Sequence, residues 1–484
     1  MANHVVLVDE YDQIWDDIEP FHALSPLKFK GLAGALASDL KLASHAHSFT
    51  LNVRDAKLSP PQGVHKDSAR AEDTVDILNE LVELLPDMQL TFSTDDTPSI
   101  CVSGDLRRRA VDHARVGTHV GLTPADVDYS DELYAGWSGV CPPQSNIRRA
   151  IFEDLVPPSP VSFVSLDHAS AMDVCAHPEI QHKHGYTQRC VLARCRQTIK
   201  LTRVESSTLP HLSQMYPLLV PAKTSMHMDI VSPTLDGFYD ALDKDPVWAR
   251  KTHNKVLWRG SSTGIHHEKG APWIASHRSR LNLITAPGPG NLTVRVPDSD
   301  EGGARVRKFD ADKTDVNGFY FDVSFAGTPI HCSRADGTCM AMEDVFDFDD
   351  PMEVADQNDY KYQLDVDGTG WSSRFRRLLS SRSAVIKSTI FQEWWSKRLV
   401  PWFHYIPVKS DLSDLHDVTA FFIGAPDGTG SHDLLGMRIG ENGRLWARDH
   451  WREADVAAYQ LRLFLEYARL ANREMDGSGF DFVL

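Results

Sequence analysis

The chain has 484 residues, enough for about two or three domains with sizeable cores, which argues against a small disulfide-stapled module. Lys and Arg number 50 against 67 Asp and Glu, so the formal net charge is -17. No segment is dense enough in basic residues to coat a phosphate backbone, so we expect no nucleic-acid partner. The 21 Phe, 12 Tyr and 11 Trp residues favour a folded chain over a disordered one.

The sequence carries few signals of compartment. No stretch has the roughly 18 uninterrupted apolar residues of a membrane span, so we expect no membrane contact by this segment. The start lacks a basic region followed by an apolar one, which is typical of a cytosolic protein or of a chain whose N-terminal leader or anchor has been removed. Two close cysteine pairs, Cys190 with Cys195 and Cys332 with Cys339, could close short loops in an oxidising compartment, and Asn291-Leu-Thr293 is a glycosylation sequon.

In chain order, the first readable unit is a helix followed by a strand. We predict a helix over 73–85, capped by Asp73 and ended by Pro86, because apolar residues recur at helical spacing: Val75, Leu78, Leu81, Val82 and Leu85. We predict a strand over 88–92, where apolar and polar residues alternate before the turn-forming run 94–98. Helix, strand and loop in this order are typical of an α/β domain.

The remaining elements continue this pattern. Residues 99–210 are broken by prolines and polar clusters, and we interpret them as an elaboration. A strand predicted over 255–258 leads into a Gly/Ser loop, and the Pro/Gly-punctuated run 286–314 predicts an exposed connection. A strand over 361–366, a tight loop over 367–370, a basic helix over 371–379 and a short strand over 383–386 follow. An amphipathic helix over 451–475 can pack across the body.

Two loops have the composition of phosphate-binding sites. In the loop Gly368-Thr-Gly370, glycines let the backbone present its N–H groups, the following Ser372 and Ser373 begin a predicted helix, and Arg374 can bind phosphate oxygens bidentately. A glycine turn before a solvated basic helix explains this string equally well. Arg259-Gly-Ser-Ser-Thr-Gly264 is a second loop of the same chemical type, with an ordinary turn as its alternative. Two such loops in one chain favour a nucleotide ligand.

Acidic and histidine clusters give weaker signals. Asp96 follows the carboxyl end of its predicted strand, where an open α/β sheet places ligand-binding groups, although turn aspartates are frequent. Three Asp-x-Asp strings, beginning at Asp310, Asp347 and Asp365, are expected by chance in so acidic a chain, and we assign no metal site. The histidines at 177, 182, 184, 266 and 267 lack ligand spacing and are predicted to be solvated loop residues.

Several long strings resemble one known family. The chain is similar to the capsule-associated glycosyltransferases of fungi, with the capsule xylosyltransferases as the nearest likeness, and to the related animal protein O-glucosyltransferases. The resemblance runs nearly end to end but leaves residues 99–210 unplaced. It rests on DIEPFHALSP (17–26), LPDM (85–88), AKTSMHMDI (222–230), LWRGSSTG (257–264), KYQLDVDGTGWSSRFRRLL (361–379), KSTIFQEWW (387–395), PWFHYIPV (401–408) and DLSDL (411–415).

The resemblance implies an α/β fold of the GT-B type, in which two Rossmann-like domains face each other across a cleft. We expect an N-terminal acceptor domain over 1–235 containing the elaboration at 99–210, a UDP-sugar-binding domain over 236–449, and a C-terminal helix over 450–484 that crosses back. The implied activity is inverting transfer of xylose or glucose from UDP-xylose or UDP-glucose to a glycan hydroxyl, without an obligatory metal. We expect the elaboration to shape the acceptor side.

The resemblance also implies a catalytic base. The family's aspartate follows the Leu-Pro-Asp-Met passage inside an Asn-Val-Arg-Asp-Tyr-Pro string, and the matching string here, Ser93-Thr-Asp-Asp-Thr-Pro98, carries the base to Asp96. Ser93 and Asp95 replace the family's asparagine and arginine. A neighbouring carboxylate is expected to raise the proton affinity of Asp96, so Asp95 is an alternative base.

Donor binding is implied for a set of residues on the second domain. Arg374 and the loop hydroxyls would stabilise the departing UDP, and Glu393 would accept hydrogen bonds from the ribose hydroxyls. Either Arg278 or Arg280 would supply a further phosphate-binding arginine. The full predicted set is Arg259, Gly260, Ser261, Thr263, Arg278, Arg280, Gly368, Gly370, Ser372, Ser373, Arg374 and Glu393.

Xylose transfer in the lumen of the secretory pathway, in the Golgi, is our first interpretation. The alternatives are a UDP-glucose-dependent glucosyltransferase acting on protein or glycan, and a carbohydrate-binding protein without turnover. A glycoside hydrolase would require a second carboxylate about 5–9 Å from Asp96.

Overall fold

The computed structural model describes residues 11–122, 137–149, 168–188, 214–237, 244–298 and 306–472. Most of their strands lie in two six-stranded sheets, with two additional two-stranded pairs. The strands are β1 (Ser48–Arg54), β2 (Lys57–Leu58), β3 (Gln62–Gly63), β4 (Met88–Ser93), β5 (Leu218–Val220), β6 (Ala222–Lys223), β7 (Ile230–Val231), β8 (His253–Gly260), β9 (Asn291–Pro297), β10 (Val306–Asp312), β11 (Phe321–Ala326), β12 (Phe348–Asp349), β13 (Tyr360–Val366), β14 (Ala384–Ser388), β15 (Gln392–Glu393) and β16 (Ile406–Pro407).

Helices surround these sheets. The α-helices are α1 (Asp12–Ile18), α2 (Pro26–Ser38), α3 (Leu40–His45), α4 (Ala69–Leu81), α5 (Gly104–Arg115), α6 (Trp137–Val140), α7 (Asn146–Arg149), α8 (His168–Ala171), α9 (Gly185–Gln188), α10 (His277–Thr285), α11 (Lys313–Tyr320), α12 (Thr338–Val345), α13 (Val354–Gln357), α14 (Phe375–Ser380), α15 (Leu415–Ile423), α16 (Asp433–His450) and α17 (Glu453–Asn472). Short 3-10 helices cover Glu19–Ala23, Val82–Leu84, Pro178–His182, Trp248–Arg250 and Trp273–Ala275. None of the helices in the described ranges combines the length and the apolarity needed to cross a bilayer.

The first sheet has the strand order β2-β1-β4-β5-β7, and β3 pairs with the start of β1. Strands β4, β5 and β7 are parallel, but β1 is antiparallel to β4, so the sheet is mixed and departs from the predicted Rossmann-like pattern. The tight turn at Asp55 and Ala56, both with positive φ, sends the chain back along β1 before α4 begins. Helix α4 therefore returns the chain to the end of β1, and β4 runs the other way.

The first predicted helix begins earlier than expected. It covers Ala69–Leu81, because Ser68 rather than Asp73 caps it by accepting a hydrogen bond from the backbone N–H of Ala71. A 3-10 turn over Val82–Leu84 completes the predicted span. The predicted strand after it is confirmed as β4.

The second sheet is parallel throughout, with the strand order β12-β11-β8-β13-β14-β16. Counted along the chain this is the order 3-2-1-4-5-6 of a doubly wound nucleotide-binding sheet. From β8 the chain adds β11 and β12 on one side of this strand. It then returns and adds β13, β14 and β16 on the other side. The gap beyond the carboxyl ends of β8 and β13 is therefore the topological switch point, where open α/β sheets bind ligands.

The run 286–314 is not the exposed connection that its prolines and glycines predict. Strands β9 and β10 form an antiparallel ribbon in full register, from Asn291 opposite Asp312 to Pro297 opposite Val306. Val294 and Val296 are fully buried in the core of the second sheet. Residues 299–305 lie outside the described part of the chain.

The C-terminal helix α17 packs on the first sheet side of the molecule. It contacts α1, α2 and α4, with edge-to-face ring pairs between Phe464 and Phe92 and between Tyr467 and Phe29. These contacts join one hydrophobic cluster around the first sheet, while a second cluster surrounds the second sheet. The predicted domain boundaries stay predictions.

A disulfide links two parts of the segment 99–210. Cys141 and Cys175 are bonded although 34 residues apart, a pairing that the sequence did not suggest. They belong to a third small cluster that includes Cys101, Ala222 and Phe391 and so contacts elements from both halves of the chain. The predicted Cys332–Cys339 disulfide is confirmed, and Cys190 and Cys195 lie outside the described residues.

Candidate functional site

The candidate site lies where β8 and β13 end beside each other. We name residues 260–264, which follow β8, the first loop, and residues 367–374, which follow β13, the second loop. The two loops are in contact, because a Cβ placed on Gly264 would lie 3.4 Å from the carbonyl oxygen of Gly368. Gly264 itself has a φ of 109°, a conformation that favours glycine. The sheet therefore brings both predicted phosphate loops to its switch point.

Arg278, from helix α10, joins the two loops. Its Nε donates to the carbonyl of Asp367 at 2.8 Å, and its Nη1 donates to the carbonyl of Ser261 at 2.8 Å and to the hydroxyl of Thr263 at 2.7 Å. Burial and the nearby charge of Arg374 lower the pKa of Arg278 to about 9. The charged form of Arg278 is disfavoured by burial and by its neighbour, so an anion bound at the loops would stabilise it.

Arg374 supplies a second guanidinium to the same place. Its Nη1 donates to the carbonyl of Arg259 at 2.6 Å, while its Nη2 is buried without a hydrogen bond in the described part of the chain. The nearest carboxylate oxygen to Nη2 is that of Asp365, at 3.7 Å. The guanidinium carbons of Arg278 and Arg374 lie 5.6 and 5.8 Å from the ring centre of the buried Trp258. Two adjacent guanidinium groups at a glycine loop suit a diphosphate.

Buried hydrogen bonds and a buried ion pair hold the second loop in place on its inner side. The Ser372 hydroxyl donates to Asp365 Oδ1 at 2.6 Å, and Lys387 Nζ donates to Asp365 Oδ2 at 2.6 Å. Asp367 Oδ2 accepts from the backbone N–H of Ile390 at 2.9 Å. The string Asp365-x-Asp367 is thus an internal anchor, and in the described ranges no group of three or more His, Cys, Asp or Glu side chains is arranged to hold a metal ion.

The helix after the second loop differs from its prediction. Helix α14 begins at Phe375 rather than at 371, so Ser372 and Ser373 lie in a turn and not in the first turn of a helix. It is also not a solvated basic helix, since Arg376 and Arg377 are buried. Arg376 Nε donates to the carbonyl of Trp451, and Arg377 donates to the side chain of Gln357. Packing against α16 and the Trp451 that follows it explains why this short basic stretch lies inside.

The predicted base lies directly against the second loop. A methyl group added to Gly370 would overlap the carbonyl of Asp96, and one added to Gly237 would overlap the carbonyl of Ser373. These close backbone approaches join the first sheet's loops to the second sheet's loops. The structure thus brings Asp96, Gly370 and Ser373 together.

Asp96 and Asp95 have different surroundings. The Asp96 side chain is 55% exposed, and its Oδ1 accepts from Arg70 Nη2 at 3.0 Å. The Asp95 side chain is 18% exposed and lies 3.6 Å from Nδ1 of His47. No motif pointed to Arg70, which lies in the first turn of α4.

A narrow pocket of about 10 Å³, enough for about one water molecule, lies between the second loop and the segment that follows β7. Its walls include Thr234, Asp236, Trp371, Ser373 and Glu393. Glu393 is buried, and its Oε1 has no hydrogen-bond partner in the described residues. Burial raises the pKa of Glu393 to about 8, although the charge of Lys387 opposes this shift. Such a carboxyl group is suited to a ligand that brings its own hydroxyl donors.

The raised pKa of Glu393 predicts a pH-dependent stability. Between its ordinary pKa of 4.5 and the folded value of about 8, the folded state holds a proton that the unfolded state lacks. The free energy of unfolding should therefore fall as pH rises through this window, by at most about 1.4 kcal/mol per pH unit. Urea unfolding at pH 5 and pH 8 should show a smaller fall for Glu393→Gln than for the wild type. If the unfolding free energy of Glu393→Gln falls as much as that of the wild type, the pKa of Glu393 is not raised. Glu343→Gln, on the surface, is the matched control.

Two predicted arginines have other partners. The Arg259 guanidinium pairs with Asp322 at 2.5 Å and with Asp349 at 3.2 Å, so only its carbonyl reaches Arg374. Arg280 donates to four backbone carbonyls, those of Lys183, Ala275, Ser410 and Asp411. The structure therefore brings Arg278 to the loops and leaves the side chains of Arg259 and Arg280 in structural contacts.

Two of the histidines are buried, contrary to their prediction as solvated residues. His184 stacks on His277 with ring centres 3.9 Å apart, and burial lowers the pKa of His184 to about 3. His277 accepts from the N–H of Gly185 and donates to the carbonyl of Asp367. His267 is also buried, against Trp273. Residues 183–185 thus support the second sheet's loops, and the acceptor role expected for 99–210 stays a prediction.

The close approach at Gly370 predicts a large effect of a small change. Gly370→Ala must displace the backbone of Asp96, so we expect transfer to fall at least about 10-fold and the unfolding free energy to fall by about 1–3 kcal/mol. Gly368→Ala is the matched control for stability, because its nearest neighbours lie 3.4–3.9 Å away. Thermal unfolding and a transfer assay check both variants. Equal stability losses in the two would show that the contact with Asp96 does not constrain this position.

Comparison with known proteins finds a family match in the C-terminal part of the chain. Residues 342–476 match the family model of Glycosyl transferase family 90. This range contains the second loop and Glu393, while Asp96, Arg278 and the first loop precede it.

Three of the curated relatives that the chain matches are protein O-glucosyltransferases. The chain is 30% identical to Protein O-glucosyltransferase 2 of Danio rerio over 258 residues, which is 50% of this chain and 41% of that protein. It is 28% identical to Protein O-glucosyltransferase 1 of Homo sapiens over 137 residues, covering 28% of this chain and 33% of that protein. It is 32% identical to Protein O-glucosyltransferase 3 of Mus musculus over 126 residues, covering 26% and 24%.

The chain is thus homologous to animal protein O-glucosyltransferases, as the resemblance predicted. The matches span less than half the length of these relatives, and the longest of the three covers half of this chain rather than nearly all of it. The nearer likeness to fungal capsule xylosyltransferases stays a prediction.

Proposed function

We propose that this protein is an inverting glycosyltransferase that moves a sugar from a UDP-sugar to an acceptor hydroxyl. The observation that carries the proposal is the contact between Asp96 and Gly370, which sets a carboxylate beside two loops that hold two guanidinium groups. Both sheets contribute, as in the GT-B arrangement that we infer for the chain.

The reaction is a single displacement at the anomeric carbon. The acceptor oxygen forms a bond to this carbon as the bond to the diphosphate oxygen breaks, and the acceptor proton passes to the carboxylate of Asp96. The electron pair leaves with UDP, whose charge Arg278 and Arg374 stabilise. Because these guanidinium groups offset the diphosphate charge, we expect no obligatory metal.

Asp96 is the better candidate base of the two aspartates. It is the more exposed carboxylate and the one whose backbone contacts the second loop, whereas Asp95 is directed to His47. Glu393 would accept hydrogen bonds from the ribose, and Ser261, Thr263, Ser372 and Ser373 would line the diphosphate.

The donor sugar has two candidates. The names of the relatives specify glucose transfer, which supports UDP-glucose, and the likeness to capsule xylosyltransferases supports UDP-xylose. The acceptor is a hydroxyl of a glycan or a protein. A panel of UDP-sugars tested for slow hydrolysis in the absence of acceptor identifies the donor. Binding of none of them by the folded protein would overturn the proposed function.

A glycoside hydrolase is the second candidate, because Asp236 binds the same guanidinium as Asp96 and is therefore a nearby second carboxylate. The phosphate loops disfavour it. Cleavage of aryl glycosides without UDP, at rates above those with UDP-sugars, would favour the hydrolase.

The two disulfides support a lumen of the secretory pathway, and we propose the Golgi. In that compartment Asn291 should carry an N-linked glycan, since Asn291 and Thr293 are exposed on β9 while Val294 and Val296 point inward. Endoglycosidase treatment of protein from a secreting host should increase its mobility, and Asn291→Gln should abolish this shift. Asn254→Gln, an exposed asparagine without a sequon, is the control, and an unglycosylated secreted protein would contradict the prediction.

A further inference from the structure

Arg70 contacts the loop that carries the proposed base and a second carboxylate beside it. Its Nη2 donates to Asp96 Oδ1 at 3.0 Å, its Nη1 to the carbonyl of Asp95 at 2.8 Å, and its Nε to Asp236 Oδ2 at 2.7 Å. The Arg70 side chain is only 11% exposed. Two nitrogens of the guanidinium, Nη1 and Nη2, therefore hold the loop that carries the base, while Nε and Nη2 contact Asp236.

The position of Arg70 is itself fixed. It lies in the first turn of α4, which Ser68 caps, and its backbone carbonyl accepts from the hydroxyl of Thr74 at 2.7 Å. Its partner Asp236 accepts a second hydrogen bond from the Thr234 hydroxyl at 3.0 Å. Arg70 is held by its helix backbone and by Asp236. Its planar guanidinium therefore fixes the orientation of the more exposed carboxylate of Asp96, which accepts a hydrogen bond from it.

Asp96 has one oxygen engaged and one available. Oδ1 accepts from Arg70, and Oδ2 makes no hydrogen bond to any residue in the described ranges. An exposed aspartate without such a partner would exchange between side-chain rotamers. Arg70 therefore selects the rotamer and leaves Oδ2 to receive the acceptor proton.

The same contact reaches the donor side. Asp236 is followed by Gly237, whose φ is 68° and whose α-carbon lies so close to the Ser373 carbonyl that a side chain would overlap it. Arg70 thus connects the base, through Asp236, to a segment packed against the second loop. This arrangement fixes the base relative to the donor as well as to its own sheet.

We propose that Arg70 is a positioning residue that aligns the carboxylate of Asp96 with the acceptor hydroxyl and the donor sugar. The inference rests on the proposed function, since it takes Asp96 as the base. It concerns alignment of the base and not donor binding, so its effect falls on turnover.

Arg70→Gln and Arg70→Lys test this role. We expect Arg70→Gln to lower kcat on the order of 10- to 100-fold, with KM for the UDP-sugar and Kd for UDP within about twofold of wild type. Lysine keeps the charge but cannot reach three groups, so Arg70→Lys should recover part of the loss. Arg108→Gln, an exposed arginine on α5 paired with Asp105 and Asp112, is the matched control and should behave as wild type.

A double mutant separates positioning from general stabilisation. If Arg70 acts through Asp96, adding Arg70→Gln to Asp96→Asn should cost less than about twofold beyond Asp96→Asn alone. Multiplying losses would overturn the inference, as would an unchanged kcat in Arg70→Gln or an equal loss of UDP affinity.

A crystal structure of Arg70→Gln gives a readout that does not depend on the identity of the donor. We expect the Asp96 carboxylate to leave its present orientation while the contact between Gly370 and the Asp96 backbone is retained. An unchanged side chain would overturn the inference. Failure of the wild type to bind or cleave any UDP-sugar would instead overturn the proposed function.

Discussion

Asp96→Asn should reduce sugar transfer on the order of 10²- to 10⁴-fold while leaving UDP affinity within about twofold of wild type. Asparagine has the size of aspartate but cannot take the acceptor proton, and it leaves the backbone contact with Gly370 in place. The loss should therefore appear in kcat. Transfer assays at saturating donor, together with calorimetric titration of UDP, measure the two quantities separately.

Asp95→Asn is the matched control for this prediction. Asp95 lies toward His47 and is less exposed than Asp96, so its replacement should cost less than about 10-fold in kcat. A greater loss in Asp95→Asn than in Asp96→Asn would assign the base to Asp95, the alternative that the sequence left open.

Arg374→Ala should weaken UDP binding on the order of 10- to 100-fold and lower turnover by a further 10²–10³. The reason is that Arg374 has an unpaired nitrogen at the second loop and lies next to Arg278, so the diphosphate would meet both guanidinium groups. Arg278→Ala should have the same signature. Calorimetry with UDP and steady-state kinetics measure the two effects.

The control for these variants is Arg307→Ala. Arg307 lies on β10 of the ribbon and pairs with the exposed Asp427, and in the described residues it contacts neither loop, so UDP affinity should be unchanged. If Arg374→Ala and Arg278→Ala bind UDP as tightly as Arg307→Ala does, the diphosphate is held elsewhere.

The two loops of the candidate site could be predicted from the sequence because their signals are local. A strand, a glycine-containing loop and an arginine within a few residues were enough to place both loops, and the second sheet brings them together. The family match over 342–476 covers only one of these loops.

The support of the site could not be predicted, because it depends on pairs that are distant in the chain. Arg70 and Asp236 are 166 residues apart, and His184 and Asp367 are 183 apart. No periodicity or spacing records such pairs, since each partner is an ordinary polar residue in its own segment. The same reason explains why the Cys141–Cys175 disulfide was missed.

For some of the wrong predictions, the sequence did contain the correct signal, but a competing signal outweighed it. In β9 the residues Leu292, Val294 and Val296 alternate with polar ones, which is the pattern of a strand, but the prolines and glycines around them favoured a connection. In α4 the prediction began at Asp73, whereas the structure begins the helix earlier, with Ser68 as its cap. For Arg376 and Arg377, charge alone predicted exposure, although buried carbonyl and amide partners satisfy them.

The proposed function depends most on where a nucleotide diphosphate binds relative to Asp96. A crystal structure of Asp96→Asn with UDP-glucose or UDP-xylose tests this directly. We predict diphosphate oxygens about 3 Å from the guanidinium groups of Arg278 and Arg374, with the anomeric carbon of the sugar facing residue 96. A diphosphate bound away from both arginines, or a sugar facing away from residue 96, would contradict the account.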